Sequence, residues 1–120
     1  MFSLFRRESG RLTPRQAHEQ ARAERSVLLD VREAAEWAAG HAPDALHLPL
    51  SRLQEGAALP EAARGRPVVA ICRSGNRSRT AARLLAARGF EATDVEGGMI
   101  AWAREGLPVA GGRGGSGVVR

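Results

Sequence analysis

Four short runs of apolar residues stand out along the chain, and polar or turn-forming residues separate them. They occupy residues 26–31, 45–48, 68–71 and 90–95. Short apolar runs of this kind, bounded by turn signals, are typical of buried β-strands. We therefore predict a strand at each of these four places.

The stretches between the apolar runs carry helix signals. Thr13, Pro14 and Gln16 form a capping box with proline at the first helical position, which predicts a helix that continues to about Arg25. Glycines close several of the other stretches, as is common at helix ends. Further helical segments are predicted at residues 33–39, 79–88 and 99–105, with a helical turn or two between 51 and 63.

Strands that alternate with helices in a chain of 120 residues predict one α/β domain with a mostly parallel sheet. We assign this domain to residues 10–109, with an N-terminal arm at residues 1–9 and a disordered glycine-rich tail at residues 110–120. Ligands of such sheets bind at the carboxyl ends of the strands. Asp30 and Cys72 each stand at a predicted strand end.

Composition narrows the class of protein. A single cysteine excludes an internal disulfide and a thiolate-cluster metal site. The apolar start of the chain is too short for a secretion signal, and no segment has the length and hydropathy of a membrane span. We therefore expect a cytoplasmic protein with a reduced thiol and no membrane partner. The sequence has no metal-ligand cluster and no dinucleotide-binding glycine pattern, so we expect no metal and no cofactor.

The net charge is +5, and every basic side chain other than histidine is arginine. Several arginines lie near Cys72 along the chain, between residues 64 and 88. Their charge should attract an anionic substrate to that segment. Basicity alone also allows nucleic-acid binding, but no aromatic residues interleave with these arginines, and several should lie on a solvated helix face. We therefore expect no nucleic-acid partner. No acidic residue lies between Glu61 and Glu91, whereas seven arginines do: Arg64, Arg66, Arg73, Arg77, Arg79, Arg83 and Arg88.

Cys72 stands where a strand should end and a helix should begin. A lone cysteine is often only a small buried hydrophobe. Here, however, a polar loop with a permissive Gly75 follows it, and such a loop can curl until successive N–H groups point inward as an anion nest. The helix N-terminus adds its dipole. A sulfur anion held in this way is a nucleophile, so we predict that Cys72 is the catalytic residue.

The other polar residues of this loop are candidate substrate-binding residues. We expect at least one of Arg73 and Arg77 to face the substrate. Ser74 and Ser78 offer hydroxyl donors, and Asn76 tolerates the unusual backbone angles that a curled loop needs. Helix capping is an equally good interpretation of Ser78 and Asn76.

One other pair of residues, Asp30 and Arg32, is a candidate for shaping the pocket. Asp30 and Arg32 lie two positions apart at a strand end, and we interpret them as a structural ion pair rather than as catalytic residues. His41 and His47 have no spacing that identifies either as a general base. We interpret the two tryptophans as core residues.

Three segments carry motifs of a known family. The first has Leu-Asp-Val-Arg-Glu at 29–33 and continues to residue 50. The second is Cys-Arg-Ser-Gly-Asn-Arg-Ser at 72–78, and the third runs from 89 to 109 and contains Glu-Gly-Gly-Met at 96–99. In this order and at this spacing, the chain resembles a single-domain rhodanese-like sulfurtransferase over about residues 10–109.

The resemblance implies a three-layer sandwich with a central, parallel, five-stranded sheet and helices on both faces. It implies that Cys72 takes a sulfane sulfur from thiosulfate or a persulfide donor and passes it to cyanide or a thiol. Arg73, Arg77 and the N–H groups of the loop would then bind the donor and the persulfide. Asp44 and His47 replace the Gly and Asn that are frequent in the family, and we expect only local turn effects.

Two rival functions remain open from the sequence. A phosphatase or arsenate reductase would place arginine six positions after the cysteine, but Ser78 holds that position and Arg77 comes one residue early. The other rival is a sulfur carrier or interaction module that a sulfur-relay protein loads, because the same pocket would serve both roles.

Overall fold

Short helices and strands alternate along the chain, as the apolar pattern predicts. The computed structural model describes residues 10–111 and 115–120, so the predicted arm at residues 1–9 lies outside the described residues. None of the helices in these described ranges is long and apolar enough to cross a membrane. The elements are α1 (Pro14–Arg22), β1 (Val27–Asp30), α2 (Ala34–Ala39), β2 (Leu46–His47), α3 (Leu50–Gln54), a 3₁₀ turn (Glu61–Ala63), β3 (Val68–Ile71), α4 (Arg77–Ala87), β4 (Ala92–Asp94) and α5 (Gly98–Arg104).

The strands form a parallel sheet in the order β2-β1-β3-β4. Its register pairs Asp30 with Ile71, and Ala70 with Asp94. The carboxyl ends of β1, β3 and β4 therefore lie side by side. This alignment places two aspartates, one on each neighbouring strand, beside the residue that follows β3, which is Cys72.

Alternate side chains of the central strands point to opposite faces of the sheet. On one face, Leu28, Val69 and Ile71 pack with buried residues of α1 and α5, including Trp102. On the other face, apolar residues of β1 and β3 pack with buried residues of α3 and α4. The predicted α/β fold, a parallel sheet with helices on both faces, is confirmed.

The expectation of five strands is corrected: the described residues form a four-stranded sheet. In place of a fifth strand, Leu12 forms a single parallel bridge with Val95. Its two hydrogen bonds join Leu12 N to the Asp94 carbonyl at 3.0 Å and Glu96 N to the Leu12 carbonyl at 2.9 Å. The pairing goes no further because Thr13 caps α1 and Pro14 starts it.

Helix ends differ from the prediction by a few residues. Helix α1 ends at Arg22 instead of near Arg25, and Glu24 beyond it has a left-handed backbone with φ of 58°. Helix α4 begins at Arg77, two residues earlier than expected. The segment that follows Cys72 therefore leads directly into the helix.

The described part of the predicted disordered tail packs against the domain. His41 and Ala110 exchange backbone hydrogen bonds of 2.9 and 2.8 Å, and Val118 N donates to the Ala39 carbonyl at 3.0 Å. Val119 packs against the core. This close approach requires a residue without a side chain at position 40, because a Cβ on Gly40 would lie 2.3 Å from the Val118 carbonyl oxygen.

Gly40→Ala should therefore destabilise the protein. The added methyl group has no free space beside Val118, so either the tail or the end of α2 must move, at a cost of about 1–3 kcal/mol. Urea denaturation measures this change. Gly115→Ala is the matched control, because its Cβ would meet no heavy atom within 4 Å. Equal stabilities for the two variants would show that the tail does not pack on Gly40.

Candidate active site

Cys72 lies directly after β3 and is buried, with 1% of its surface exposed. Its strand is the centre of the carboxyl edge of the sheet, between β1 and β4. Five residues later the chain enters α4. The strand-loop-helix arrangement that the sequence predicts around this residue is thus present.

The sulfur of Cys72 faces two backbone donors. Gly75 N lies 3.1 Å and Ser78 N lies 3.3 Å from Sγ, and both donate to it. Gly75 makes the curl possible through its φ of +106°. Asn76, which we expected to help the curl, has an ordinary helical backbone and makes no side-chain capping hydrogen bond. The loop therefore offers N–H groups to a negative charge on sulfur.

The N-terminus of α5 holds the start of this loop from the other side. Met99 N donates to the Cys72 carbonyl at 2.8 Å, and Ile100 N donates to the Arg73 carbonyl at 3.0 Å. Gly98 allows this contact, because a Cβ there would lie 2.4 Å from the Cys72 carbonyl oxygen. Gly98 thus helps α5 to fix the backbone of Cys72.

A chain of polar contacts runs from the sulfur to the neighbouring strand. The thiol donates to Ser78 Oγ at 3.3 Å, and Ser78 Oγ donates to Asp94 Oδ2 at 2.6 Å. Asp94 is 2% exposed and also accepts two hydrogen bonds from the Arg11 guanidinium. The same guanidinium donates to the Gly75 carbonyl at 3.0 Å. The hydrogen bond with Asp94 raises the pKa of Arg11.

Arg77 is held by Glu36 of α2. Its two terminal nitrogens donate to the two carboxylate oxygens at 2.7 and 2.8 Å. This hydrogen bonding lowers the pKa of Glu36 to about 2, although partial burial acts in the opposite direction. The guanidinium also interacts electrostatically with Cys72. The charge of Arg77 therefore acts on the sulfur, while its two terminal nitrogens are hydrogen-bonded to Glu36.

The three other loop residues that we predicted as substrate contacts, Arg73, Ser74 and Asn76, are exposed. They line the outside of the loop, whereas Gly75 and Ser78 are buried against the sulfur. The structure thus divides the predicted set into an inner and an outer group.

Asp30 and Arg32 form a fully buried ion pair. Arg32 Nη2 lies 2.8 Å from Asp30 Oδ2, and Arg32 N donates to Asp30 Oδ1 at 3.0 Å. Arg32 Nη2 also donates to the Gly40 carbonyl at 2.6 Å. The pair therefore ties the end of β1 to the end of α2, beside the Cys72 loop.

His41 and His47, which the sequence leaves without an assigned role, stack on Trp37 of α2. The ring centroids of His41 and Trp37 are 3.6 Å apart, and those of His47 and Trp37 are 4.7 Å apart. His47 Nε2 also lies 2.7 Å from the Arg32 carbonyl oxygen. Trp37 is only half-buried, whereas Trp102 is a core residue.

Sequence reasoning missed Asp94, Arg11 and Glu36. They lie 16 to 83 positions away from their partners along the chain, and no local motif assigns them a role at the site. A partial signal exists, because Asp94 ends a strand that should neighbour the Cys72 strand.

The chain is similar to known proteins over most of its length. A Rhodanese-like domain model matches residues 13–105. The chain belongs to the rhodanese-like family. Cys72, its loop and the parallel sheet around them are thus parts of a rhodanese-like domain.

Relatives of this rhodanese-like chain include single-domain enzymes. It is 43% identical over 84 residues to a sulfurtransferase of Allochromatium vinosum, covering 69% of this chain and 77% of that protein. It is 36% identical over 99 residues to the thiosulfate sulfurtransferase GlpE of Actinobacillus pleuropneumoniae, covering 82% and 90%. With another curated relative, the match spans only 45% of that protein.

A solved structure agrees with the fold. The crystal structure of a rhodanese-related protein from Thermoplasma volcanium has a TM-score of 0.73 and 33% identity, and the match covers 83% of this chain and 96% of that one. Family, relatives and fold together identify the chain as a sulfurtransferase.

The ion pair of Arg77 and Glu36 predicts a pH-dependent stability. Because the folded-state pKa of Glu36 is about 2, below its usual 4.5, the carboxylate stabilises the fold above pH 4.5. This contribution is lost as the pH falls from 4.5 through 2. Glu36→Gln should therefore be less stable than the parent near neutral pH, and the difference should shrink below pH 4.5.

Urea denaturation at several pH values measures that difference. Glu105→Gln is the matched control, because Glu105 forms an exposed ion pair with Arg15 and its removal should cost little. A stability difference for Glu36→Gln that stays constant at acid pH would contradict the assigned ion pair.

Proposed function

We propose that this rhodanese-like chain transfers the sulfane sulfur of thiosulfate to a thiophilic acceptor through a persulfide on Cys72. The observation that carries the proposal is the pair of N–H groups of Gly75 and Ser78 directed at the buried sulfur. These two donors favour a negative charge on Sγ, which is the attacking thiolate. A persulfide carries its charge on the outer sulfur, and we infer that the curled loop at the helix N-terminus also favours that anion.

The first half-reaction loads the sulfur. The Cys72 thiolate attacks the outer sulfur of thiosulfate and forms a new S–S bond. The S–S bond of thiosulfate breaks, and its electron pair leaves with sulfite. The result is a Cys72 persulfide anion, which the loop N–H groups stabilise as preorganised donors.

The second half-reaction empties the site. A nucleophile such as cyanide or a thiolate attacks the outer sulfur, the persulfide bond breaks, and its electron pair returns to Cys72 as the thiolate. Cyanide leaves as thiocyanate, and a thiol acceptor leaves as its persulfide. Because the two substrates react in separate steps, the kinetics should be ping-pong.

Arg77 and Arg73 are the proposed cations for the donor. The charge of Arg77 acts on the Cys72 sulfur even though Glu36 is its hydrogen-bond partner. Arg73 is exposed at the mouth of the loop, where a dianion would enter. Ser74 and Asn76 share this outer face and are proposed as polar contacts of the donor.

The name of the relative GlpE supports thiosulfate as the donor. A free catalytic thiol also fits a reducing compartment, so we place the reaction in the cytoplasm. A protein persulfide as donor, with the chain as a carrier in a sulfur relay, is the alternative to free thiosulfate. Loading of Cys72 by thiosulfate at low concentration separates these two.

Phosphatase chemistry is the weaker alternative, although one similar structure, from Rhodopseudomonas palustris, is titled a possible tyrosine phosphatase. A phosphate cradle needs an arginine fork directed at the phosphate oxygens. Here the fork of Arg77 is paired with Glu36. Hydrolysis of an aryl phosphate would support the phosphatase instead.

Cys72→Ser should abolish sulfur transfer from thiosulfate to cyanide, because a hydroxyl does not form the persulfide. Steady-state thiocyanate formation measures this loss, and circular dichroism checks that the variant is folded. Turnover retained in a folded Cys72→Ser variant would sink the proposed mechanism.

Arg77→Ala should mainly raise the KM for thiosulfate, because it removes a cation beside the sulfur while leaving the N–H donors in place. We expect an increase on the order of tenfold, as for loss of one charge-assisted contact. Arg83→Ala, an exposed site on the same helix, is the matched control. Equal KM values for both variants would show that Arg77 serves only the fold.

A further inference from the structure

The hydroxyl of Ser78 stands between two groups that compete for its single proton. Its oxygen is 3.3 Å from the Cys72 sulfur and 2.6 Å from Asp94 Oδ2. The short contact to a carboxylate is a charge-assisted hydrogen bond, so the proton points to Asp94. The lone pairs of the hydroxyl therefore face the sulfur, where they accept a hydrogen bond from the thiol and offer nothing to a thiolate.

Burial and hydrogen bonds hold the Asp94 carboxylate in position to accept the hydrogen bond from Ser78. It is 2% exposed at the end of β4, and both of its oxygens accept hydrogen bonds from Arg11. Arg11 in turn donates to the carbonyl of Gly75, whose N–H donates to the sulfur. One guanidinium thus fixes the carboxylate and the nest relative to each other.

We propose that Asp94 is a positioning residue that keeps the Ser78 proton away from Cys72 and so favours the thiol form of the resting site. Only the two backbone N–H groups then serve the thiolate. The reactivity of Cys72 is consequently lower than the pocket would otherwise allow. This inference rests on the proposed function only in taking Cys72 as the nucleophile.

Other charges also act on this sulfur, and a test must separate them. Arg11 and Arg77 both interact electrostatically with Cys72, Glu36 is paired with Arg77, and Glu96 acts on Arg11. Removing the charge of Asp94 would favour a thiolate even without Ser78. The role of the hydroxyl is therefore measured by how much the effect of a substitution at position 94 on Cys72 reactivity depends on the residue at position 78.

Asp94→Asn is nearly isosteric and should reverse the direction of the hydrogen bond between residue 94 and Ser78. Arg11 has only donors, so the amide oxygen should turn to Arg11 and the amide nitrogen to Ser78. That nitrogen would donate to Ser78 Oγ and redirect the hydroxyl proton to the sulfur. A hydrogen bond to a charged group should raise the rate of thiol alkylation by iodoacetamide by roughly tenfold at neutral pH.

The experiment measures alkylation of the full chain against pH for the parent, Asp94→Asn, Ser78→Ala and the double variant. The proposal expects a rate increase from Asp94→Asn that is clearly larger with Ser78 present than in the Ser78→Ala background, where only the loss of the negative charge acts. Ser78→Ala alone should not slow alkylation, because the hydroxyl gives the thiolate nothing. Glu105→Gln, which removes a carboxylate from an exposed ion pair, is the control for a general charge effect.

Three results would overturn the proposal. An unchanged alkylation profile in folded Asp94→Asn would show that the carboxylate does not restrain the site. An equal rate increase with and without the Ser78 hydroxyl would show that Asp94 acts on Cys72 only through its charge. Slower alkylation in Ser78→Ala would show that the hydroxyl already donates to the sulfur, and this last readout also applies if Asp94→Asn does not fold. Alkylation does not depend on thiosulfate, so sulfur transfer can fail while this inference stands.

Discussion

The candidate active site depends on one constraint, which is that the backbone after β3 must wrap around a buried sulfur. Gly75 makes the wrap possible with its positive φ, and Gly98 allows α5 to hold the carbonyl of Cys72. The N–H groups of Gly75 and Ser78 then face the sulfur, because the loop leads without a break into α4. The side chains around the loop support this backbone arrangement.

The electrostatics of the pocket differ from what the arginine-rich sequence suggests. Arg11 and Arg77 both interact electrostatically with the sulfur, and each forms an ion pair with a carboxylate, Arg11 with Asp94 and Arg77 with Glu36. Paired cations attract an anion less strongly than free ones. The backbone N–H groups therefore supply a larger share of the positive potential at the sulfur than the count of arginines implies.

Local patterns predicted the fold and the place of Cys72 between a strand and a helix, because short apolar runs and helix signals are local properties. The contacts that fix the loop were not predicted, since Asp94, Arg11 and Glu36 meet their partners only through sheet register and helix packing. The fifth strand, an expectation from family resemblance, shrinks to one bridge because Pro14 starts a helix. The described part of the tail packs on the domain because Gly40 gives the backbone room to approach.

The persulfide is the central claim, and intact mass measures it directly. The intact mass of the reduced protein is measured before and after incubation with thiosulfate, and again after addition of cyanide. The account predicts a gain of one sulfur atom that cyanide removes and that Cys72→Ser never shows. A folded protein with a free thiol that gains no mass would contradict thiosulfate as the donor, and a gain that persists in Cys72→Ser would contradict Cys72 as the carrier.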